Sequence, residues 1–200
     1  MSLLHPLMDA AIRQAISAED SPTLLQWLEQ RTRPYLDASN PRLLGSGGEG
    51  VVFAANGHIH KFLLNWTHPR RDPDRTEQWL RLLAERSHEA RHLYRLTIQR
   101  PERDMLWISY AASPGVPLTN EEVSSCWRTR IWPQLEACLH ELSQAGFAHT
   151  NPKPSNFVWD GTRLMLCDYG SDCRPMSDAA MELGRMYFMW QAGIHDQGQP

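Results

Sequence analysis

Two clusters in this 200-residue chain carry residues whose types and spacing could do chemistry, and they point to different chemistries. The first is Gly45-Ser46-Gly47-Gly48-Glu49-Gly50-Val51-Val52, which satisfies G-x-G-x-x-G-x-V at every fixed position. Glycine has no Cβ, so backbone N–H groups in such a loop can close on phosphate oxygens. In dinucleotide-binding folds a loop of this kind opens a helix, with an acidic residue ~20 positions on. Here it runs into Val51-Val52-Phe53 and then the hairpin signal Asn56-Gly57, so strand–loop–strand is the expected context. An ordinary glycine-rich hairpin is the bland alternative. The second cluster is His88-Glu89-Ala90-Arg91-His92, a literal H-E-x-x-H on a predicted helix. Two histidines one turn apart with a glutamate between them are the signature of a zinc hydrolase. With nine histidines in the chain, chance supplies such a match in roughly 2% of sequences of this composition, and no clear third ligand follows.

A third constellation is more specific. His149-Thr150-Asn151-Pro152-Lys153-Pro154-Ser155-Asn156 is followed, eleven residues past Asn156, by Cys167-Asp168-Tyr169-Gly170. A lone Lys61 lies upstream in His58-Ile59-His60-Lys61-Phe62, on the strand after the Asn56-Gly57 turn. In this order and with these intervening elements, the motifs resemble those of the eukaryotic-like protein kinase superfamily. His149 to Asn156 is similar to H-R-D-L-K-P-x-N, and Asp168-Tyr169-Gly170 to D-F-G. The segment Gln134–His149 is similar to the helix that leads into the catalytic loop. The resemblance spans about 42–190.

The resemblance implies roles residue by residue. Gly45, Gly47 and Gly50 would cover the phosphates of ATP, and Val52 would roof the adenine. Lys61, held by a helix glutamate, would hold the α- and β-phosphates; Glu89 fits that glutamate, with Glu85 as its competitor one turn earlier. Met105 to Ala112 would form the hinge. Lys153 would neutralise the γ-phosphate, and Asn156 and Asp168 would bind Mg²⁺ through hard oxygen ligands. His149 would be a packed structural residue rather than a base.

Two departures bear on activity. Asn151 stands where the family has its catalytic aspartate, and an amide cannot accept the substrate hydroxyl proton. Phosphoryl transfer rests mostly on positioning and charge neutralisation, so Lys61, Lys153, Asn156 and Asp168 leave room for slow transfer. A neighbouring acid such as Asp172 is a candidate substitute. After Asp-Tyr-Gly the chain moves almost at once into Ser177-Asp178-Ala179-Ala180-Met181-Glu182, where protein kinases spend roughly thirty residues on an activation loop. Asp178 or Glu182 is placed to brace the catalytic loop. This brevity resembles minimal or atypical kinases, including small bacterial effector kinases and lipopolysaccharide-kinase-like proteins. The function expected is therefore an Mg-ATP-binding phosphotransferase acting on an unknown acceptor: protein, sugar or other small molecule. The alternative is a catalytically dead pseudokinase that binds a protein partner under nucleotide control, with zinc hydrolysis through His88, Glu89 and His92 more remote.

The elements that must position these residues follow from period and punctuation. Residues 1–40 read as a helical extension, with Leu7, Met8, Ala11, Ile12, Ala15 and Ile16 on one apolar face. Residues 41–112 read as a kinase-like N-lobe: three short strands to about 64, a helix over 74–96 opened by Asp72-Pro73, and a strand over 105–111. The helix stripe Leu82, Glu85, Glu89, Leu93, Leu96 is what would turn Glu89 toward the sheet. Residues 113–193 read as a reduced C-lobe. A capping box at Thr119 and Glu122 starts one helix, Pro133 breaks or kinks it, and the next stops at Gly146. A hairpin turns at Asp160-Gly161, a last helix covers 178–191, and 194–200 is a flexible tail. With the resemblance, which implies two lobes, the fold class expected is α+β, a bilobal kinase-like fold with a small antiparallel β lobe and a truncated helical lobe.

Composition sets the outer bounds. Forty-two per cent hydrophobic and 22% charged residues describe a globular chain long enough to bury a core without disulfides. A net charge of −3 argues against a general nucleic-acid or anionic-membrane binder. No window reaches the ~20 apolar residues of a membrane span. Cys126, Cys138, Cys167 and Cys173 have no C-x-x-C spacing and read as buried thiols of a reducing compartment, cytoplasmic or, for a secreted effector, inside a host cell.

Overall fold

The structure is a computed structural model that describes residues 30–36, 41–46, 48–64, 66, 71–121, 123, 127–177, 184–189 and 192. The predicted helices of residues 1–29, the tail 194–200, and Gly47, Glu122, Cys126, Asp178 and Glu182 lie outside the described residues. The chain forms two compact units. The first takes in the chain to Arg75 with Thr97–Ala112, and the second Thr76–Leu96 with the chain from Ser113.

The first unit is a five-stranded antiparallel sheet. Its strands are β1 (Arg42–Ser46), β2 (Gly50–Ala55), β3 (His58–Leu63), β4 (Thr97–Glu102) and β5 (Met105–Ala111), in the order β1-β2-β3-β5-β4. The β2–β3 turn is Asn56-Gly57, with φ of 50° and 74°, the two positive values that a tight hairpin needs to match strand twist. Strand alternation then sorts the side chains. Val51 and Phe53 of β2, Phe62 of β3 and Met105 and Trp107 of β5 share a face and form a core with Leu36, Tyr35 and Leu64. Phe62 stacks on Trp107 at 5.6 Å and meets Phe53 edge-on at 6.3 Å. Val52 and Lys61, directly paired across β2 and β3, take the opposite face, where Ile108 of β5 pairs with Lys61. Ahead of the sheet, Arg31 is bonded to Glu102 at 2.6 Å and Asp104 at 2.8 Å, and Tyr35 donates to Glu102. Strand β4 was not legible in the sequence. It lies at the sheet edge, and its register slips between Gln99 and Glu102, around Pro101, where a missing N–H is tolerated.

His60 sits on the core-ward face of β3. Its Nδ1 accepts a hydrogen bond from the Trp107 indole N–H at 3.2 Å, so the proton sits on Nε2, which donates to the Ala55 carbonyl. Burial holds its pKa below the usual imidazole value, and the nearby His58 adds to this against the Ala55 bond. A histidine with a lowered folded pKa is kept neutral in the native state and takes up a proton on unfolding. Stability is therefore retained above pH ~6.5 and falls as pH drops from there toward the folded pKa. Urea midpoints measured at pH 7.5 and 5.5 should show this acid loss, and His60→Gln should flatten it. An unchanged acid slope in the variant would assign the loss elsewhere.

The second unit holds most of α1 (Pro73–Arg86), then β6 (Val116–Pro117), α2 (Trp132–Gln144), β7 (Phe147–His149), β8 (Phe157–Trp159), β9 (Leu164–Leu166) and β10 (Cys173–Pro175). Helix α1 begins as its sequence predicts: Asp72 Oδ1 accepts the Arg75 N–H at 2.8 Å, and Pro73 fills the first turn. Its end does not follow the prediction. The helix stops at Arg86 rather than running to 96. Glu141 of α2 accepts the backbone N–H groups of Arg91 and His92 at 3.0 and 2.7 Å, and Leu93 forms a parallel bridge to Leu166 of β9. The carboxylate and the strand draw the chain out of the helix, and Leu93 is buried there instead of on a helix stripe. Pro133 does not break α2; it lies in the first turn, continuous with a π-helical turn at Trp127–Ile131. Gly146, at φ 84°, ends it. Sheets β6-β8-β9 and β7-β10 complete the unit. Residues 184–189 are helical. Among the described residues no helix is long and apolar enough to cross a membrane.

Candidate functional site

The glycine loop joins β1 to β2. At Gly50 an added Cβ would overlap the Phe62 carbonyl oxygen and lie 2.8 Å from its carbon, so only glycine permits this strand approach. At Gly45 a Cβ would meet nothing within 4 Å. Between them the Glu49 backbone is tied down: its carbonyl accepts the Leu64 N–H at 2.9 Å. Lys61 is 8% exposed, on the face it shares with Val52, and its ammonium lies 3.8 Å from the Glu49 carboxylate. The other Glu49 oxygen lies 3.4 Å from Arg71 Nε, and Arg71 also bonds the Gly48 carbonyl.

Glu89 is a correction. It lies beyond the end of α1 in a turn, its side chain 90% exposed and 3.7 Å from His88. The stripe that would have turned it toward the sheet ends before it, and Glu85 is exposed as well. Glu49 places a carboxylate at Lys61; nothing but a buried cation's need for a countercharge could have pointed to it in the sequence. The same turn overturns the zinc reading. His88 is exposed and bonds the Glu85 carbonyl, whereas His92 is buried with Nδ1 2.7 Å from the Leu164 carbonyl. Without a helix the two imidazoles do not share a face, and among the described residues no three His, Cys, Asp or Glu side chains cluster as metal ligands.

The loop from His149 to Asn156 follows β7. His149 is buried; its Nδ1 accepts the Asn151 N–H at 3.2 Å, so Nε2 donates to the Asp168 carbonyl at 3.0 Å. One imidazole thus ties the loop to the Asp-Tyr-Gly segment and has no ring nitrogen left for proton transfer. The Asn151 carbonyl accepts Asn156 Nδ2 at 2.8 Å and the Lys153 N–H at 3.1 Å. Asn156 is buried, and its amide nitrogen is the donor in that bond. Cys167 N–H bonds the Asn156 carbonyl, holding Asp168 next in the chain. Asn151 Oδ1 is buried without a hydrogen-bond partner. Asp172 meets the neighbouring residue of the loop: its Oδ1 accepts the Thr150 hydroxyl at 3.2 Å, and its carbonyl the Thr150 N–H. Tyr169 is fully buried and its hydroxyl accepts the Tyr94 N–H at 2.9 Å. Cys138 is also buried, which pushes its thiol pKa well up and leaves it inert.

No family model matches the chain, and no curated protein matches it. Among solved structures, the chain is similar to the kinase domain of Mycobacterium tuberculosis PknI, solved as a cysteine-to-alanine mutant. The TM-score is 0.50 at 17% identity, over 76% of this chain and 70% of that one. The fold is α+β and protein-kinase-like: a small antiparallel β unit and a reduced second unit.

Proposed function

We propose that the chain binds Mg-ATP and transfers its γ-phosphate, slowly, to an unidentified acceptor. The observation that supports this reading is the Asn151–Asn156 hydrogen bond, which uses the Asn156 amide nitrogen and so keeps its oxygen as the acceptor a hard cation would take, within a loop fixed by His149. The chemistry of the residues in each unit suits the group. Gly45, Gly47 and Gly50 would admit phosphates to the backbone, with Val52 against the base. Lys61 would hold phosphate oxygens, Asn156 and Asp168 would ligate Mg²⁺, and Lys153 would neutralise the transferred group. Mg²⁺ would supply charge neutralisation and orientation of the phosphates. The protein's own part is to position and desolvate charge, the larger share of phosphoryl-transfer catalysis. Acceptors with a hydroxyl, whether protein, sugar or small molecule, are all compatible.

One observation favours a second reading, a pseudokinase that binds a protein partner under nucleotide control. Asn151 offers an acceptor oxygen but no base.

Titration of Mg-ATP with thermal stabilisation as readout, and γ-labelled ATP in the same tube, separates the two. Binding with label transfer supports the phosphotransferase, and binding without transfer the pseudokinase. Loss of binding in Lys61→Met and Asp168→Asn is expected at about 10–100-fold each, the scale of a hydrogen bond to a charged group. Unchanged affinity in both variants would overturn the site.

A further inference from the structure

The glycine loop of the first unit contains a charged trio that the motifs do not account for. Glu49 lies inside the loop, and its two carboxylate oxygens face two different cations, Lys61 Nζ at 3.8 Å and Arg71 Nε at 3.4 Å. The side chains of Glu49, Lys61 and Arg71 are mostly buried, with exposures of 16%, 11% and 21% respectively. The trio sums to one positive charge, so it is not neutral within itself. Its backbone is fixed on both sides of the carboxylate: the Glu49 carbonyl holds the Leu64 N–H, and Gly50 packs against the Phe62 carbonyl. Arg71 is anchored to the same loop through the Gly48 carbonyl. Two cations from separate segments thus converge on one carboxylate within the glycine-rich loop.

We propose that Lys61 and Arg71 form a two-cation clamp for the polyphosphate of the nucleotide, and that Glu49 is a built-in counter-ion occupying the place a phosphate oxygen takes. This rests on the nucleotide reading above and adds to it a second phosphate-binding residue, Arg71, and a competitor, Glu49. An arginine suits the role because its fork can meet two phosphate oxygens while a lysine meets one as a point charge. When polyphosphate enters, each cation exchanges a carboxylate oxygen for a phosphate oxygen, and Glu49 turns out to water. Without ligand, Glu49 offsets one of the two charges, and the net positive charge that remains favours a polyanion.

The test is a binding titration with three probes: Mg-ATP, inorganic tripolyphosphate and adenosine. Glu49→Gln keeps the shape and removes the competitor. It should tighten Mg-ATP and tripolyphosphate about tenfold, the scale of one unit charge removed several ångströms away in a partly buried site. Arg71→Met should weaken both about tenfold and flatten the salt dependence of binding. Adenosine should bind all three proteins alike. Thermal melts of the free variants check folding, and Arg71→Lys serves as a milder second variant with an intermediate loss. Glu49→Gln that weakens or leaves unchanged the binding of tripolyphosphate overturns the counter-ion role, and Arg71→Met that binds as wild type overturns the clamp. Wild type that binds Mg-ATP while both variants match it removes this inference and leaves the nucleotide reading standing. Tripolyphosphate binding that responds as stated, with no binding of Mg-ATP or adenosine, keeps the clamp and removes the nucleotide reading. Failure of every probe on wild type and Glu49→Gln alike removes both.

Discussion

Gly50→Ala is expected to cost the protein more than about 4 kcal/mol, a large share of the ~5–15 kcal/mol that holds a domain together. The methyl group would overlap the Phe62 carbonyl oxygen and press on the carbonyl carbon at 2.8 Å and Leu63 Cα at 3.1 Å. All three are backbone atoms, and no rotamer change can move them. Gly50 is paired in register with Leu63, so relief requires β2 and β3 to part or slip. Either motion drags Phe62 off Trp107 and Phe53 and takes Lys61 out of its pairing with Val52. Gly45→Ala is the control: nothing lies within 4 Å, and its effect should stay within about 0.5 kcal/mol. Equilibrium denaturation followed by far-UV circular dichroism measures both. A Gly50→Ala loss under about 1 kcal/mol, the centre of the ordinary range for point mutants, would mean that the strands can move apart cheaply and that the glycine is there for another reason.

On the phosphotransferase reading proposed above, Asn151→Asp is expected to raise the transfer rate by about 10²–10⁴, the usual worth of general-base assistance. The loop is prepared for the exchange. Its shape is held through the Asn151 backbone, by its N–H to His149 and its carbonyl to Asn156 and Lys153, rather than through the side chain. The new carboxylate would inherit a buried position with no donor, at a cost of roughly 1–3 kcal/mol. Burial raises such an aspartate's folded pKa, so the variant is penalised as pH rises through ~4 and above, where the wild-type amide does not titrate. Faster transfer paired with lower stability at neutral pH is therefore the expected signature. A measurable rate that does not change would turn attention to Asp172, whose carboxylate already meets Thr150 on the same loop.

How far the residues announced the fold depended on whether their reasons were local. Asn56-Gly57, Asp72-Pro73 and Gly146 act through their own backbone angles and N–H groups, and each ends or starts an element where its type says it should. The His149–Asn156 segment drew attention only through its resemblance to a known motif; in the structure its side chains bond to its own backbone within a few residues. What was not legible depended on partners distant in sequence. The 3–4 spacing of Leu82, Glu85, Glu89 and Leu93 continues past the helix, but Glu141, some fifty residues on, takes the N–H groups that would have extended it. The same distance hid Glu49, a loop glutamate whose meaning comes from Lys61 and Arg71. Strand β4 was missed for a related reason: Pro101 and Arg100 argue against a strand, and only the edge position makes them acceptable.

The tyrosine of Asp168-Tyr169-Gly170 sets a cost on any rearrangement of its segment. Here the ring is buried and its hydroxyl is the acceptor for the Tyr94 N–H. Expelling it exposes a large side chain, at about 1.5–3 kcal/mol, and orphans a backbone donor, at about 1–3 kcal/mol. Any ligand that needs this segment rearranged must supply that difference from its own affinity, a handicap of roughly 10²–10⁴, whereas one that accepts Tyr169 where it lies avoids it.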